Sequence, residues 1–306
     1  MSEIAPGCHL IDTMLHGRPG LHSALLVEGD QPALVDAGCQ TSAAAVGDAI
    51  EALGVGPDDL AWIVLTHIHL DHAGATGDLA ERFPRARVVV HPRGVRHLAD
   101  PGRLVAASHE VYGDLAPLYG GLAPTPPERI DESPDGHVVP LGGGRTLRVV
   151  EAPGHARHHN AILDEGTGTL HAGDAVGIHL HGGGFVPTLP PADVDIQAGQ
   201  KTIGTLAGLG AERMVLGHFG PVPDVGEALA RGAELLAMGA RIAASTLPSP
   251  SGEEIARLMT AEAPLAELAA SERATEELER LNWYHDNCDG LAIWASRLAP
   301  ARAVAR

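Results

Sequence analysis

Apolar positions along this chain come in two rhythms, short β-branched runs in the first two thirds and long Ala- and Leu-rich helical spacings in the last third. Residues 21 to 38 read as strand, Gly29-Asp30 turn and strand, a hairpin. From 41 to 53 an Ala-rich run has helical spacing, and Gly54 stops it. Trp62-Ile63-Val64-Leu65 is short, apolar and flanked by Pro57-Asp58-Asp59, which predicts a buried strand. Residues 77 to 82 suit a short helix and 87 to 91 another buried strand, so this stretch forms one α/β layer unit. Residues 92 to 122 carry mixed helical patterns that include Tyr112 and Tyr119, both open to pocket-wall or packing roles. Five prolines between 123 and 140 predict an irregular loop. The second half begins with an alternating strand over 145 to 151. A hairpin over 160 to 173, a helix over about 193 to 209 and a last strand over 213 to 216 follow. Beyond about residue 224 the pattern is helical. Ser251-Gly252-Glu253-Glu254 reads as a capping box, and Ile255, Leu258, Leu265 and Leu268 lie near one helical face.

The chemistry concentrates where the 62 to 65 strand ends, in Thr66-His67-Ile68-His69-Leu70-Asp71-His72-Ala73-Gly74. In extended chain, side chains two apart point the same way, so His67, His69 and Asp71 converge while Ile68 and Leu70 pack oppositely. His72 belongs to the turn into a following helix and faces the same place from a second direction. Imidazoles with one carboxylate are borderline donors suited to zinc, iron or manganese, and too rich in nitrogen for calcium or magnesium. Buried without a metal, each polar group left unsatisfied would cost about 1–3 kcal/mol.

At these residues the chain resembles the metallo-β-lactamase-fold superfamily, whose H-x-H-x-D-H signature His67, His69, Asp71 and His72 match in full. Ala152-Pro153-Gly154-His155 resembles the family's P-G-H turn, Ala172-Gly173-Asp174 its G-D segment, and Leu216-Gly217-His218-Phe219-Gly220 its final G-H element. The matches run from 67 to 218, with flanking patterns extending to about 20 and 222. The resemblance implies an α/β fold, a four-layer αβ/βα sandwich with a metal site at one edge. It implies a binuclear metal centre in which His67, His69 and His155 hold one ion, Asp71, His72 and His218 hold the other, and Asp174 bridges. The expected cofactors are two divalent metal ions, zinc first and iron or manganese as alternatives. A metal-bridging hydroxide would attack a small lactone, ester or thioester, with Asp71 and Asp174 as the catalytic carboxylates. Asp36, in the family's Asp-x-Gly turn, either orients a ligand imidazole or only forms the turn. His159 occupies the place of a second family His and is expected in support, whereas His158 replaces a Gly there. His179 and His181 repeat the two-residue spacing and are open to pocket lining, proton handling or solvent exposure.

Other members of the superfamily set the alternatives. A glyoxalase-II-like thioesterase shares the ligand set, but a basic cluster for a glutathione carboxylate is lacking. A mononuclear iron persulfide dioxygenase would need only part of the set. A non-catalytic metal-retaining sensor or binding protein also remains.

Composition narrows the partners. With 21 basic against 39 acidic residues the chain carries a net charge of −18, and aromatics make up 3%, which disfavours phosphate contact and base stacking. Nucleic acid is therefore not expected; a small-molecule substrate is. The longest apolar stretches fall short of a membrane span of about 18 residues. Three Cys, at 8, 39 and 288, are read as free thiols in a reducing compartment, and the N-terminus shows no signal pattern, so the expected location is cytoplasmic. Two parts are expected: a catalytic domain over 1–222 and a helical extension over 223–306. The extension would pack on the domain, cap its pocket or form a homodimer surface.

Overall fold

The computed structural model describes residues 1–180, 184–191, 193–262, 265–269, 271–281 and 283–303. It divides into two compact units, the first made of Met1–Ala152, His158–Gly173 and Gly210–Val225, the second of Pro153–Arg157, Asp174–Leu209 and the chain from Gly226.

The first unit is built on two mixed sheets. One contains, in spatial and chain order, β1 (Ser2–Ala5), β2 (Cys8–Asp12), β3 (Ser23–Val27), β4 (Ala33–Val35), β5 (Trp62–Val64), β6 (Arg87–Val90) and β7 (Ile130–Glu132). Hairpins make β1 through β4 antiparallel. Beyond β4 each connection carries helix, and the strands run parallel. Those connections hold α1 (Ala43–Ala52), α2 (Leu70–Ala73) and α3 (Thr76–Arg82) before β6. They hold α4 (Val95–Ala99), α5 (Gly102–Tyr112) and α6 (Ala116–Tyr119) after it. The second sheet is formed by β8 (Val138–Gly142), β9 (Arg145–Glu151), β10 (Asn160–Asp164) and β11 (Thr169–His171). After an excursion that carries β12 (Ile178–His179) and β13 (Phe185–Val186), β14 (Arg213–Leu216) and β15 (Gly220–Pro221) complete it. The inner faces meet in a dry core of Leu25, Val27, Val35, Val64 and Val89 against Val139, Leu141, Leu147, Val149 and Ile162. This is the α/β sandwich expected from the alternation of β-branched runs and helices.

Two regions differ from the pattern reading. The stretch expected as irregular loop contains β7 and the start of β8. Strand β8 tolerates Pro140 because it is the terminal strand of its sheet, where a missing ladder donor costs least. Residues 1 to 12 form the β1–β2 hairpin, whose short polar-apolar alternation gave no clear periodic signal.

The second unit is mainly helical, with α7 (Ile196–Ala207), α8 (Val225–Ser245), α9 (Gly252–Ala261), α10 (Leu265–Ala269), α11 (Glu272–Arg280) and α12 (Trp283–Ala303). Three starts are capped by side chains: Asp195 accepts from the Ala198 amide, Ser251 from Glu254 and Ser271 from Ala274. Trp283 anchors α12 and is buried. Among the described residues, no helix is long and apolar enough to cross a membrane.

Candidate metal centre

In the first unit the site grows from the adjacent ends of β4 and β5. Parallel pairing sets Val35 against Val64, and the Asp36 amide donates to the Val64 carbonyl at 3.0 Å. Asp36 then turns with φ 61, in the left-handed region that Asp tolerates better than most residues, and its carboxylate meets the first residue after the strand. The Thr66 amide donates to Asp36 Oδ1 at 2.8 Å, and the Thr66 hydroxyl lies 2.9 and 3.0 Å from the two oxygens. The chain stays extended through His69 (φ −64, ψ 150) and enters α2 at Leu70. The two-residue alternation therefore orients His67 and His69 only, while Asp71 and His72 project from the helical turn. Gly74 closes that turn: a Cβ there would stand 2.3 Å from the Leu70 carbonyl and 2.7 Å from the Gln40 amide nitrogen.

Hydrogen bonds fix how the imidazoles point. Asp36 Oδ2 lies 2.8 Å from His72 Nδ1, and the Leu21 carbonyl 2.9 Å from His218 Nδ1. A carboxylate and a carbonyl only accept, so each ring carries its proton on Nδ1 and its lone pair on Nε2. The Thr66 hydroxyl, spent as donor on Asp36, accepts from His67 Nδ1 at 3.0 Å with the same result. This is the hydrogen bonding that metal-ligating histidines characteristically show.

The donors then face one another. His218 Nε2 lies 3.1 Å from Asp71 Oδ2, His72 Nε2 lies 4.0 Å from the same oxygen, and His67 Nε2 lies 3.0 Å from His69 Nδ1. A lone-pair nitrogen 3.1 Å from a carboxylate oxygen is two acceptors in contact, which calls for a cation between them or an extra proton. With that extra proton, burial still opposes ionisation of Asp71, but the charge on a protonated His72 and a hydrogen bond from His218 outweigh it and hold the carboxyl well below the usual range. A divalent ion of the zinc, iron or manganese kind fits this donor set.

His159 and His158 come to His67 from the second sheet of the same unit. Their ring centroids lie 4.8 and 6.2 Å from that of His67. The Asn160 amide donates to the Thr66 carbonyl at 2.7 Å and locks this approach. Gly173 (φ 50) leaves the room His159 needs, since a Cβ would stand 2.7 Å from its Nε2.

His22 lies beside these donors although no ligand spacing marks it in the sequence. Its ring is fully buried, with Nε2 3.3 Å from His72 Nδ1 and its centroid 5.0 Å from that of His218. His22, His72 and His218 each offer a ring nitrogen, all within 4.8 Å of one another. It stands alone in sequence at the start of a hairpin, with no ligand spacing around it.

The second unit holds the other expected ligands. His155 Nδ1 lies 3.3 Å from the Thr188 carbonyl, its Nε2 is 3.8 Å from Asp174 Oδ2, and the Thr188 hydroxyl donates to the Asp174 carbonyl at 2.7 Å. One residue thus steadies both. Helix α12 holds that residue's neighbours: Trp283 Nε1 donates to the Pro187 carbonyl at 2.6 Å, and the Leu189 amide donates to Asn287 Oδ1. The helical tail therefore fixes the segment on which His155 and Asp174 depend. His179 lies on β12 with its ring 6.5 Å from Phe185, and His181 lies outside the described residues. Tyr112 and Tyr119, in the first unit, stack on each other at 3.9 Å.

Residues 17–218 match the sequence profile of the Metallo-beta-lactamase superfamily, and the chain belongs to that family. It has the metallo-β-lactamase fold, which implies divalent metal binding. Protein ST1585 of Sulfurisphaera tokodaii, named as metallo-beta-lactamase fold-containing, is 35% identical over 138 residues, 44% of this chain and 51% of that one. The crystal structure of ST1585 aligns with TM-score 0.69 at 24% identity, covering 93% of this chain and 98% of that one. The structure of TTHA1429 from Thermus thermophilus aligns with TM-score 0.67 at 23% identity, over 98% and 94%. AttM of Azorhizobium caulinodans, named an N-acyl homoserine lactonase, is 32% identical over 114 residues, 37% of this chain and 39% of that one. The chain spans about half the length of the first curated relatives it matches, 51% and 62%.

Proposed function

We propose that this protein is a binuclear metal-dependent hydrolase that opens a small lactone or cleaves an ester or thioester. The observation that carries the reading is the common posture of His67, His72, His155 and His218, each with Nδ1 against an oxygen acceptor and Nε2 turned to other donors. His67, His69 and His155 are assigned to one ion and Asp71, His72 and His218 to the other, with Asp174 shared between them. When bound, the ions supply a hydroxide nucleophile at neutral pH and an electrophile for the substrate carbonyl.

The chain's own residues do the rest. Asp36 and Thr66 hold two of the imidazoles in the ligating tautomer, so no proton must leave Nε2 before binding. Asp71 has a second carboxylate oxygen besides the one assigned to the metal, placed to take the proton released on attack and pass it to the leaving group. The net charge of −18 favours neutral substrates over polyanions, which suits a lactone or simple ester. The likeness to a protein named as a lactonase puts lactones first. The test is hydrolysis of a matched panel of lactones, esters and thioesters by metal-replete protein, before and after chelation. Chelator-sensitive turnover of at least one class supports the reading; no turnover of any class by protein loaded with metal would sink it.

A further inference from the structure

We propose that Thr188 is a positioning residue of the metal centre and that helix α12 serves to hold it in place; this rests on the binuclear reading above. Thr188 touches both ligands that its unit contributes. Its carbonyl accepts from His155 Nδ1–H at 3.3 Å, which leaves the lone pair of that ring on Nε2, and its hydroxyl donates to the Asp174 carbonyl at 2.7 Å. The turn before His155 has separate supports on α7 and its cap. The Asp195 amide donates to the Gly154 carbonyl at 2.8 Å, and the Thr202 hydroxyl to the Pro153 carbonyl at 2.6 Å. Those bonds fix the backbone, and the rotation of the ring is left to Thr188.

The segment that carries Thr188 is poorly equipped to anchor itself. In Pro187-Thr188-Leu189-Pro190-Pro191 three of the five residues are prolines, which have no N–H to donate. Its anchors come from α12 and fall on both sides of Thr188. Trp283 Nε1 donates to the Pro187 carbonyl at 2.6 Å, and Asn287 Oδ1 accepts from the Leu189 amide. Asn287 Nδ2 donates to the Trp283 carbonyl at 2.8 Å, which fixes the amide with its oxygen toward Leu189. Farther along the helix, Gly290 lets the backbone come against the Leu189 carbonyl, where a Cβ would overlap the oxygen. Positions 283, 287 and 290 are spaced i, i+4 and i+7, one face of a helix, and all three are buried. A buried amide costs free energy unless it is bonded, and Asn287 spends both ends of its amide on this hold. The face is therefore shaped to grip the chain around Thr188, and through it His155 and Asp174.

The experiment compares wild type with Thr188→Val, which keeps the carbonyl and the shape but deletes the hydroxyl, and with Thr188→Ser, which keeps the hydroxyl. Apo proteins are titrated with cobalt against a competing chelator, and the visible spectrum of each cobalt form is recorded. Wild type should bind about two ions per chain. Because Asp174 is shared, Thr188→Val should lower the affinity for both by about 10–100-fold and alter the cobalt bands, and Thr188→Ser should restore both properties. Trp283→Phe, which deletes only the Nε1–H that reaches Pro187, should move affinity and bands in the same direction. A Thr188→Val protein that is less stable to urea yet has isotherms and bands superimposable on wild type overturns the positioning role and leaves the binuclear reading standing. Unchanged isotherms and bands in Trp283→Phe overturn the part given to α12. Wild type that binds fewer than two ions overturns the binuclear reading together with the proposal. Should Thr188→Val not fold, Trp283→Phe decides against wild type: weaker binding with altered bands supports the proposal, and unchanged binding refutes it.

Discussion

Asp36→Asn separates the structural work of the carboxylate from its control of His72. The carboxylate meets three donors, the Thr66 amide, the Thr66 hydroxyl and His72 Nδ1–H, all buried. Alanine would strand all of them at about 1–3 kcal/mol each, a large share of a typical total stability of about 5–15 kcal/mol, and would report mostly on folding. Asparagine fits the same space. Its oxygen can serve Thr66, but its NH₂ then points at His72 Nδ1, donor against donor. The neutral ring escapes by moving its proton to Nε2, the nitrogen needed for the metal. The apo protein should lose about 1.5–3 kcal/mol, the worth of one charge-assisted hydrogen bond, while metal affinity at the second position falls by about 10–100-fold. Urea unfolding of apo protein gives the first quantity and chelator competition the second. Unchanged affinity in a variant that has lost stability would refute the tautomer argument, because the bond would then be structural only.

Further outcomes follow from the same structure. Asn287→Leu removes the acceptor for the Leu189 amide, which should cost about 1–3 kcal/mol in stability and weaken metal retention, measured by the same titrations. Asp164, buried beside Arg145 at 2.7 Å, has its carboxyl raised by burial but lowered more by Arg145 and Thr167, leaving it below the usual range. A lowered folded value means its stabilisation is present above the unfolded pKa of about 3.9 and lost as pH falls through the folded value. Asp164→Asn should therefore cost about 3 kcal/mol at pH 7, with the gap to wild type closing below about pH 4 in urea midpoints; a pH-independent gap would contradict the pairing. Cys288, whose thiol burial pushes up to about 12, should resist alkylation at pH 8 until the protein is unfolded, as followed by mass spectrometry.

What could be read from the chain without its structure was what local spacing carries. Trp62-Ile63-Val64 announces a strand by β-branching, and the residues after it cluster because four donors in six positions at a strand end have nowhere else to go. The alternation rule failed at Leu70, where helix begins, because a strand-end pattern gives no sign of the residue at which φ and ψ change. His22 stayed invisible for a different reason. Thr13 and His72 lie 9 and 50 positions from it in the chain, and pairing of β2 with β3 brings Thr13 beside it. The tail read as helix, yet its hold on Pro187 and Leu189, the neighbours of Thr188, through Trp283 and Asn287 is a tertiary contact that no periodicity encodes.

Elemental analysis of purified protein, paired with hydrolysis of lactone, ester and thioester substrates before and after chelation, tests the central claim most directly. About two divalent ions per chain, with turnover lost on chelation and restored by metal, is the predicted result. About one iron per chain with no hydrolysis of any substrate would contradict it and favour an iron-dependent oxygenase.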